Sequence, residues 1–548
     1  MAVTASGTAN RQIARAAGTV MLAYALSQVL GLIRWILMSR YWGTGAEADA
    51  FNSARVLSDI LFTLVAGGAL ASAFIPTFTE LLTREERDRA WRLASAVANL
   101  VTLLLTALAA LAALFAPWIV RNILAPDFSP SEQALTVALL RVVLPSAVIF
   151  GLSGLLMGIL NAHHSFLFPA LASAMYWLGM IFGIVFLRHS LGIFGPAWGA
   201  VIGACLHLAI QIPALLQLPG RRYFPSLGLH LAEVIQVIRL MGPRLFGVAV
   251  VQLNMVVNTA LASGMPIGSY TSIGQAFSIM TVPLFVLAQG IATASFPIFS
   301  AQAARGKLDE MRDSLSTTLR GIIFLALPAS VGLILLRTPL VAALFQRGSF
   351  NQVSTEMVAW ALLWYAAGLV GHSVIEVVYR AFYALQNTKT PVLIGASAMG
   401  LNVGFSYLFS ELFRQAGWMP LGGLALANSL ATALEMAAAL VFLHRRIGGL
   451  GGEKLALGVA QAGGCSLAMT GALAVWLSVS GNLPALLTAA FGVVLGGAVY
   501  GITIHALGVP EARQLYAALR GRLPWLPVLQ AAEQPSRLEK ARQRRAKP

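Results

Sequence analysis

The residues of this chain that could do chemistry are charged side chains set inside long apolar runs. Arg34 closes the stretch Ser27-Gln-Val-Leu-Gly-Leu-Ile-Arg34, and a second run opens with Asp49-Ala-Phe-Asn-Ser-Ala-Arg55-Val-Leu-Ser-Asp59. Arg55 and Asp59 are four residues apart, so they share one helix face and can pair. Asp49 and Arg34 sit on adjacent segments and could pair across them. A charge at mid-bilayer depth costs about 2.5–3.5 kcal/mol on insertion scales, so it normally faces a cavity or a partner. The planar fork of arginine binds phosphate bidentately. Arg34 and Asp49 therefore read as part of a hydrated, cationic chamber for an anionic head group. Arg40, Arg141 and Arg244 lie near the ends of their runs and read as snorkelling cations. For Arg55 and Asp59 both readings stand.

A second group lies in the C-terminal half. Glu376 and Arg380 are again four apart, and Glu435 stands alone in a later run. Glu376 is either a carrier of a coupling proton or the structural partner of Arg380. His207 reads as a hydrogen-bonded packing residue. Gly67-Gly68 with Pro76, and Gly290 with Pro297, would loosen two runs where a gating bend could form; close packing through small residues would use the same glycines. No phosphate-binding loop, metal-ligand cluster or nucleophile–base pair appears. No catalytic residue, metal or cofactor is expected. Cys205 and Cys465 lie in apolar stretches and read as small buried residues rather than a disulfide.

The elements that must position these groups follow from composition. Of 548 residues, 58% are hydrophobic and 11% charged, and the mean hydropathy is +0.77. A soluble domain normally carries about a quarter charged residues. Apolar runs of roughly 20 residues recur, the length needed to cross a hydrocarbon core of about 30 Å. They are continuous and rich in Leu, Ala and Gly, so they read as helices. The expected fold is an all-α polytopic membrane protein with about fourteen spans. The net charge of +16 gathers in short loops and a tail, at Arg84, Arg87, Arg89 and Arg92, at Arg221 and Arg222, at Arg305, Lys307 and Arg312, and at Arg445 and Arg446. That is the positive-inside pattern. It predicts both termini in the cytoplasm and argues against nucleic-acid binding, because no aromatic platform accompanies the charge.

The chain also repeats. Gly68-Ala-Leu-Ala-Ser-Ala-Phe-Ile-Pro76-Thr-Phe resembles Gly290-Ile-Ala-Thr-Ala-Ser-Phe-Pro297-Ile-Phe, and Asn161 with Ala172-Ser-Ala-Met175 resembles Asn387 with Ala396-Ser-Ala-Met399. Both matches are displaced by six spans, which predicts two parallel six-helix lobes with a substrate path between them. The division expected is a cytoplasmic N-terminus at 1–14, an N-lobe at 15–218, a linker at 219–242, a C-lobe at 243–444, two further helices at 445–508 and a basic cytoplasmic tail at 509–548.

At these residues the sequence resembles the MurJ/MviN family of lipid II flippases, in the multidrug/oligosaccharidyl-lipid/polysaccharide exporter superfamily. Ser27 to Arg34 is similar to the family's first-span signature, and Asp49-Ala-Phe with Gly68 to Pro76 to its second. Gly158-Ile-Leu-Asn161 with Phe168-Pro169-Ala170, Phe345-Gln-Arg-Gly348-Ser-Phe350 and Arg380 to Pro391 also fit, in order, over most of the chain. The resemblance implies a V-shaped cavity between two lobes, two extra C-terminal helices, and movement of a polyprenyl-linked peptidoglycan precursor between leaflets of the cytoplasmic membrane. It implies Arg34 as a pyrophosphate contact and Asp49 as a residue that positions the cavity arginines. Expected partners are membrane lipids and the lipid-linked saccharide, with other cell-wall synthesis proteins as further candidates.

Several family positions differ. The family's first-span arginine is Gln28 here, the aspartate after Arg34 is Trp35, a second-span arginine is Phe62, a glutamate is Gly67, and an Asp-Arg pair falls on Phe277-Ser278. Gln28 stays in the candidate set by position, and Arg55 with Asp59 could stand in for the lost cation. The missing arginines motivate two rivals: a flippase for another polyprenyl-linked oligosaccharide, such as a capsule or exopolysaccharide unit, and a non-transporting scaffold of the envelope machinery.

Overall fold

Leucine, alanine and glycine runs without water to satisfy their backbone have one stable outcome here, the helix. The computed structural model describes residues 23, 25–65 and 69–509 and is almost entirely helical. The helices are α1 (25–42), α2 (Ala46–Val65), α3 (Ala69–Thr83), α4 (Arg87–Leu114), α5 (Pro130–Ala162), α6 (Leu167–Leu191), α7 (Phe194–Leu216) and α8 (Ala232–Ser263). Then come α9 (Ser269–Ala304), α10 (Leu308–Phe345), α11 (Gln352–Ala367), α12 (Leu369–Ala384), α13 (Lys389–Gln415), α14 (Leu421–Ile447), α15 (Gly452–Asn482) and α16 (Ala485–Ala506). Among the described residues ten helices are long and apolar enough to cross a membrane, and α11 with α12, bent by 43°, makes an eleventh as a pair. The expected fourteen is not fixed by that measure, because α2 carries Glu47, Asp49, Arg55 and Asp59 and α3 has only 15 residues. Gly67, Gly68, the N-terminal 1–14 segment and the basic tail from residue 510 lie outside the described residues. α8 takes in the last residues of the stretch read as a linker.

Small residues let the helices meet. On α6 and α7, a Cβ at Gly179 would stand 2.2 Å from the Cα of Gly203, so the two backbones touch directly. Apolar contact between helices gains little in lipid, and this close approach is what joins them.

The turns carry the duplication. After α3, Glu85 has a φ of 60°, and the Glu86 N–H bonds the Leu81 carbonyl at 3.0 Å. Six spans on, after α9, Gly306 has a φ of 70°, and Lys307 bonds Gln302 at 3.0 Å. After α5, His164 (φ 59°) is followed by Ser165 bonding Leu160 at 2.9 Å; after α12, Gln386 (φ 55°) is followed by Asn387 bonding Phe382 at 2.9 Å. Each is the left-handed helix stop whose backbone bond satisfies an orphan carbonyl.

Three apolar clusters fill the interior. One lies in the first half and takes in Val234 and Val237 of α8, and one lies in the second half with α15 and α16. The third joins the halves, with Leu32, Trp35 and Ile36 of α1 against Ile273, Ala276, Phe345 and Phe350. Proline inside α10 anchors the last helix. Pro328 has no N–H for the Phe324 carbonyl, and the Tyr500 hydroxyl donates to that carbonyl at 2.7 Å instead. At the α11–α12 bend, Ser429 donates to the Trp364 carbonyl at 2.7 Å and Ser330 to the Ala366 carbonyl at 2.6 Å.

Candidate functional site

Arg34 lies eight residues from the end of α1 and Arg55 nine residues into α2, about 12–14 Å below the same end of the bundle. The two guanidiniums interact electrostatically with each other and with Asp59. Arg34 is 2% exposed. Its guanidinium stacks 3.8 Å over the Trp35 ring and 5.3 Å from that of Trp177. Its Nε and Nη1 meet no acceptor, and no carboxylate pairs with it among the described residues. Arg55 bonds Asp59 at 3.2 Å, while its own Nε has no acceptor. The group holds two cations and one anion, so it carries a surplus positive charge. An uncompensated buried charge is costly, and an anionic group entering here would be attracted by it.

Aromatic rings surround these cations. Phe62 packs on Phe150 at 4.8 Å, Phe150 on Tyr176 at 4.9 Å, and Tyr176 on Trp177 at 4.9 Å. Phe62 and Trp35 occupy positions where the family pattern has charges. Gln28 is exposed on α1 and has no hydrogen bond among the described residues. Arg40 and Arg141 are exposed, in keeping with their reading as snorkelling cations, and the Arg244 side chain lies outside the described residues. His207 bonds Ser153 at 2.6 Å, and Gln211 closes the same buried group.

Asp49 departs from the expected pairing. It does not bond Arg34. It is 3% exposed, and its two oxygens accept from the backbone N–H groups of Gly268 at 2.7 Å and Thr271 at 2.8 Å. Those are the orphan donors at the start of α9, where a carboxylate is stabilised by the helix dipole. Backbone donors aimed at one point outcompete a guanidinium held about five residues deeper. Gly268 has a φ of 92°, and a Cβ there would stand 2.1 Å from the Thr44 carbonyl, so the turn requires glycine.

Around this contact the halves are stitched together. Asn52 donates to Thr271 at 3.0 Å and Gln275 to Ser39 at 2.8 Å; Thr44 and Ser354 share a bond of 2.8 Å. Ser349 bonds the carbonyls of Arg40 and Tyr41, both at 3.0 Å. Among the described residues, every hydrogen bond between 25–231 and 264–509 lies at this end. At the end that carries the basic loops, the bond across among the described residues is the one from Arg89 of α4 to Glu233 at the start of α8.

The second-half group is also assembled. Arg380 donates to Glu376 at 2.7 Å and to Gln289 at 2.8 Å. Gln289 closes a π-helical segment, Leu284–Gln289, just before Gly290. Such segments interrupt the helical ladder and mark functional sites. The interruption in α9 therefore sits immediately N-terminal to Gly290, with Pro297 inside the helix beyond it; Pro76 likewise lies inside α3. Tyr379 donates to Glu435, and His372 bonds Asn428 at 3.1 Å. The sequence pointed to Glu376 with Arg380, but not to Gln289 or to the Tyr379–Glu435 bond, whose partners come from other helices.

Helices of membrane-crossing length, a duplicated turn pattern and buried cations beneath a polar closure define a polytopic membrane transporter. Comparison with known proteins gives the lineage. The family model described as "Lipid II flippase MurJ" matches residues 38–493, and the chain belongs to that family. A relative in Burkholderia cenocepacia, "Lipid II flippase MurJ", is 31% identical over 423 residues, covering 76% of this chain and 82% of the relative. "Probable lipid II flippase MurJ" of Vibrio cholerae is 29% identical over 520 residues, 92% of this chain and 97% of the relative. Among solved structures, "Lipid II flippase MurJ, inward closed conformation" aligns with a TM-score of 0.75 at 24% identity, over 89% of this chain and 99% of that one. An inward-facing MATE family transporter of the MOP superfamily aligns with a TM-score of 0.62 at 17% identity, over 78% of this chain and 95% of that one. These two likenesses speak to the fold alone.

Proposed function

We propose that this chain carries lipid II from the inner to the outer leaflet of the cytoplasmic membrane by alternating access, with both termini in the cytoplasm. The family membership supports the substrate. One observation carries the mechanism: a buried Arg34, with no carboxylate partner among the described residues, lies beneath an end where Asp49 ties the first half to the start of α9. In this reading Arg34 and Arg55 receive the pyrophosphate. Asp59 holds Arg55 until the substrate competes for it, and the rings of Trp35 and Trp177 keep the Arg34 guanidinium flat and poorly hydrated. The Asp49 contact closes the outer end while the basic end admits the head group. The two halves then rock as units, as the parallel repeat supports. Glu376 and Arg380, tied to Gln289 at the π-helical segment of α9, are the candidates for coupling that motion to an ion or to the membrane potential.

The test is flipping of lipid II in proteoliposomes by Arg34→Ala and Arg55→Ala, with expression and thermal stability checked. We expect Arg34→Ala to lower flipping at least tenfold and Arg55→Ala to lower it severalfold, since a charged hydrogen bond is worth about 1.5–3 kcal/mol. Full activity of both variants would remove the site.

A second reading has its own observation. Phe62, packed on Phe150, and Phe277, 5.3 Å from Tyr365, replace charge with aromatic surface at family positions. Sugar faces stack on such rings, which suits another polyprenyl-linked oligosaccharide. Mass spectrometry of the co-purified lipid separates the two: a pentapeptide-bearing muropeptide supports lipid II, and a lipid-linked glycan without peptide supports the alternative.

A further inference from the structure

Away from the buried arginines, the basic end of the first half contains a cavity of about 380 Å³ between α4, α5 and α7. Its walls are apolar: Ala94, Ala98, Leu152, Leu155, Leu156 and Leu215. Its roof is the segment Arg221–Tyr223, which follows α7. The walls and the roof have opposite chemistry, and each is separately built.

The roof is stitched to α4. Ser95 accepts from the Phe224 N–H at 3.1 Å, Asn99 donates to the carbonyls of Phe224 and Ser226 at 3.2 and 2.9 Å, and the Tyr223 hydroxyl donates to Asn99 at 2.7 Å. Arg92 stacks 5.3 Å from the Phe224 ring. Five hydrogen-bonded or stacked contacts, from Ser95, Asn99 and Arg92, fix a loop that would otherwise be free, and they hold Arg221 and Arg222 over the slot. Nearby carboxylates are largely engaged elsewhere. Glu80 pairs with Arg84, and Glu86 and Glu233 both pair with Arg89. Asp88 lies 3.6 Å from Arg222, with both side chains exposed to water, where such a pair is worth little. Arg221 donates only to the Leu216 carbonyl, among the described residues. Inside the slot, Trp91 is 5% exposed and its indole N–H meets no acceptor.

The depth of the slot is informative. Leu152 lies ten residues before the end of α5, and Ala98 eleven residues after the start of α4, so the walls reach about 15 Å into the bundle. That is half of a hydrocarbon core of about 30 Å, the depth of one leaflet.

We propose that this slot is a binding site for one anionic phospholipid of the leaflet at the basic end. One acyl chain fills the apolar cavity, the phosphate meets Arg221 and Arg222, and the Trp91 N–H donates to a glycerol or ester oxygen. The charge at the roof selects the head group, and the depth of the walls selects a chain rather than a free anion. This site does not depend on which lipid-linked saccharide the protein carries.

The test uses the full chain, purified in mild detergent and titrated with phosphatidylglycerol or with phosphatidylcholine of the same acyl chains. Retained lipid is counted by native mass spectrometry. Wild type retains phosphatidylglycerol preferentially. A Lys or Arg near an anionic surface contributes about 1 kcal/mol, close to fivefold, so Arg221→Ala with Arg222→Ala should weaken that retention roughly 25-fold. Ala98→Phe fills the slot and should lower retention of both lipids while both arginines remain. Leu156→Phe fills it from the opposite wall and serves if Ala98→Phe does not fold. Millimolar inorganic phosphate should leave retention unchanged. Equal retention of the two lipids, no effect of filling the slot, or displacement by phosphate alone would each overturn the proposal; the last would reduce the site to a surface anion contact.

Discussion

Asp49 and Arg34 show how a residue's partner decides its work. Both are buried and charged, and both lie near one end of the bundle, yet they do different things. Asp49 accepts two backbone N–H groups from the other half, and Arg34 stacks on rings with no carboxylate bonded to it among the described residues. A carboxylate on a helix start is held by bonds worth about 1.5–3 kcal/mol each to a charged group. Asp49→Ala should therefore release the outer end, shifting the closed–open balance by roughly 10- to 100-fold. The measurement is labelling of Ser354→Cys by a membrane-impermeant maleimide: faster labelling in the Asp49→Ala background is expected, and an unchanged rate would mean that the contact does not hold the end shut. Arg34 makes a different demand. Its guanidinium lies 3.8 Å over the Trp35 ring and 5.3 Å from that of Trp177, a stacking contact that a compact ammonium cannot copy. Arg34→Lys should keep the charge and still lose most lipid II flipping, with normal expression as the control. The types of these residues and their depth could be read from the chain. Their partners could not, because Gly268 lies 219 residues from Asp49 and Trp177 is on another helix. Local spacing says nothing about which helix comes to rest against which.

At the scale of the element, interruptions do the positioning. Pro328 of α10 frees a carbonyl that Tyr500 takes up, and this ties α16 to the second half. Tyr500→Phe leaves that buried acceptor unmet, at a cost of about 1–3 kcal/mol. The expected result is a lower midpoint of thermal unfolding in detergent and easier proteolysis after α14; an unchanged midpoint would show that water satisfies the carbonyl. The helix stops offer the opposite experiment. Gln386 holds a φ of 55°, where a side chain is strained by about 1 kcal/mol relative to glycine. Gln386→Gly should raise the same midpoint by a degree or two. The repeat in the sequence marked the two links in which such stops fall, near Asn161 and Asn387, because turn residues and helix ends are encoded locally. The π-helical segment before Gly290 was not visible, since a one-residue widening of the ladder leaves apolar composition unchanged. The sequence suggested a loosening at Gly290 and Pro297; a π-helical segment lies just before them at Leu284–Gln289, where Gln289 also receives Arg380.

Across the whole molecule, the asymmetry between the two ends carries the argument for transport. One end is closed by polar bonds and by Trp35 packed into the second-half cluster; at the other, among the described residues, no hydrogen bond joins 25–231 to 264–509, and the link across is the Arg89–Glu233 pair between α4 and the start of α8. If the halves rock against each other, the closed end must open once in each cycle. A covalent bridge there should stop transport without touching the substrate site. Thr44 and Ser354 come from opposite halves with their hydroxyls 2.8 Å apart, so cysteines at both positions are within disulfide reach. In a background without Cys205 and Cys465, Thr44→Cys with Ser354→Cys should flip lipid II when reduced and lose activity when oxidised. Each single cysteine variant should stay active under both conditions. Recovery on adding reductant distinguishes a locked cycle from a damaged protein. Undiminished flipping by the fully oxidised pair would mean that lipid passes without the ends separating, and the alternating-access reading would then fail even though the fold and the family remain.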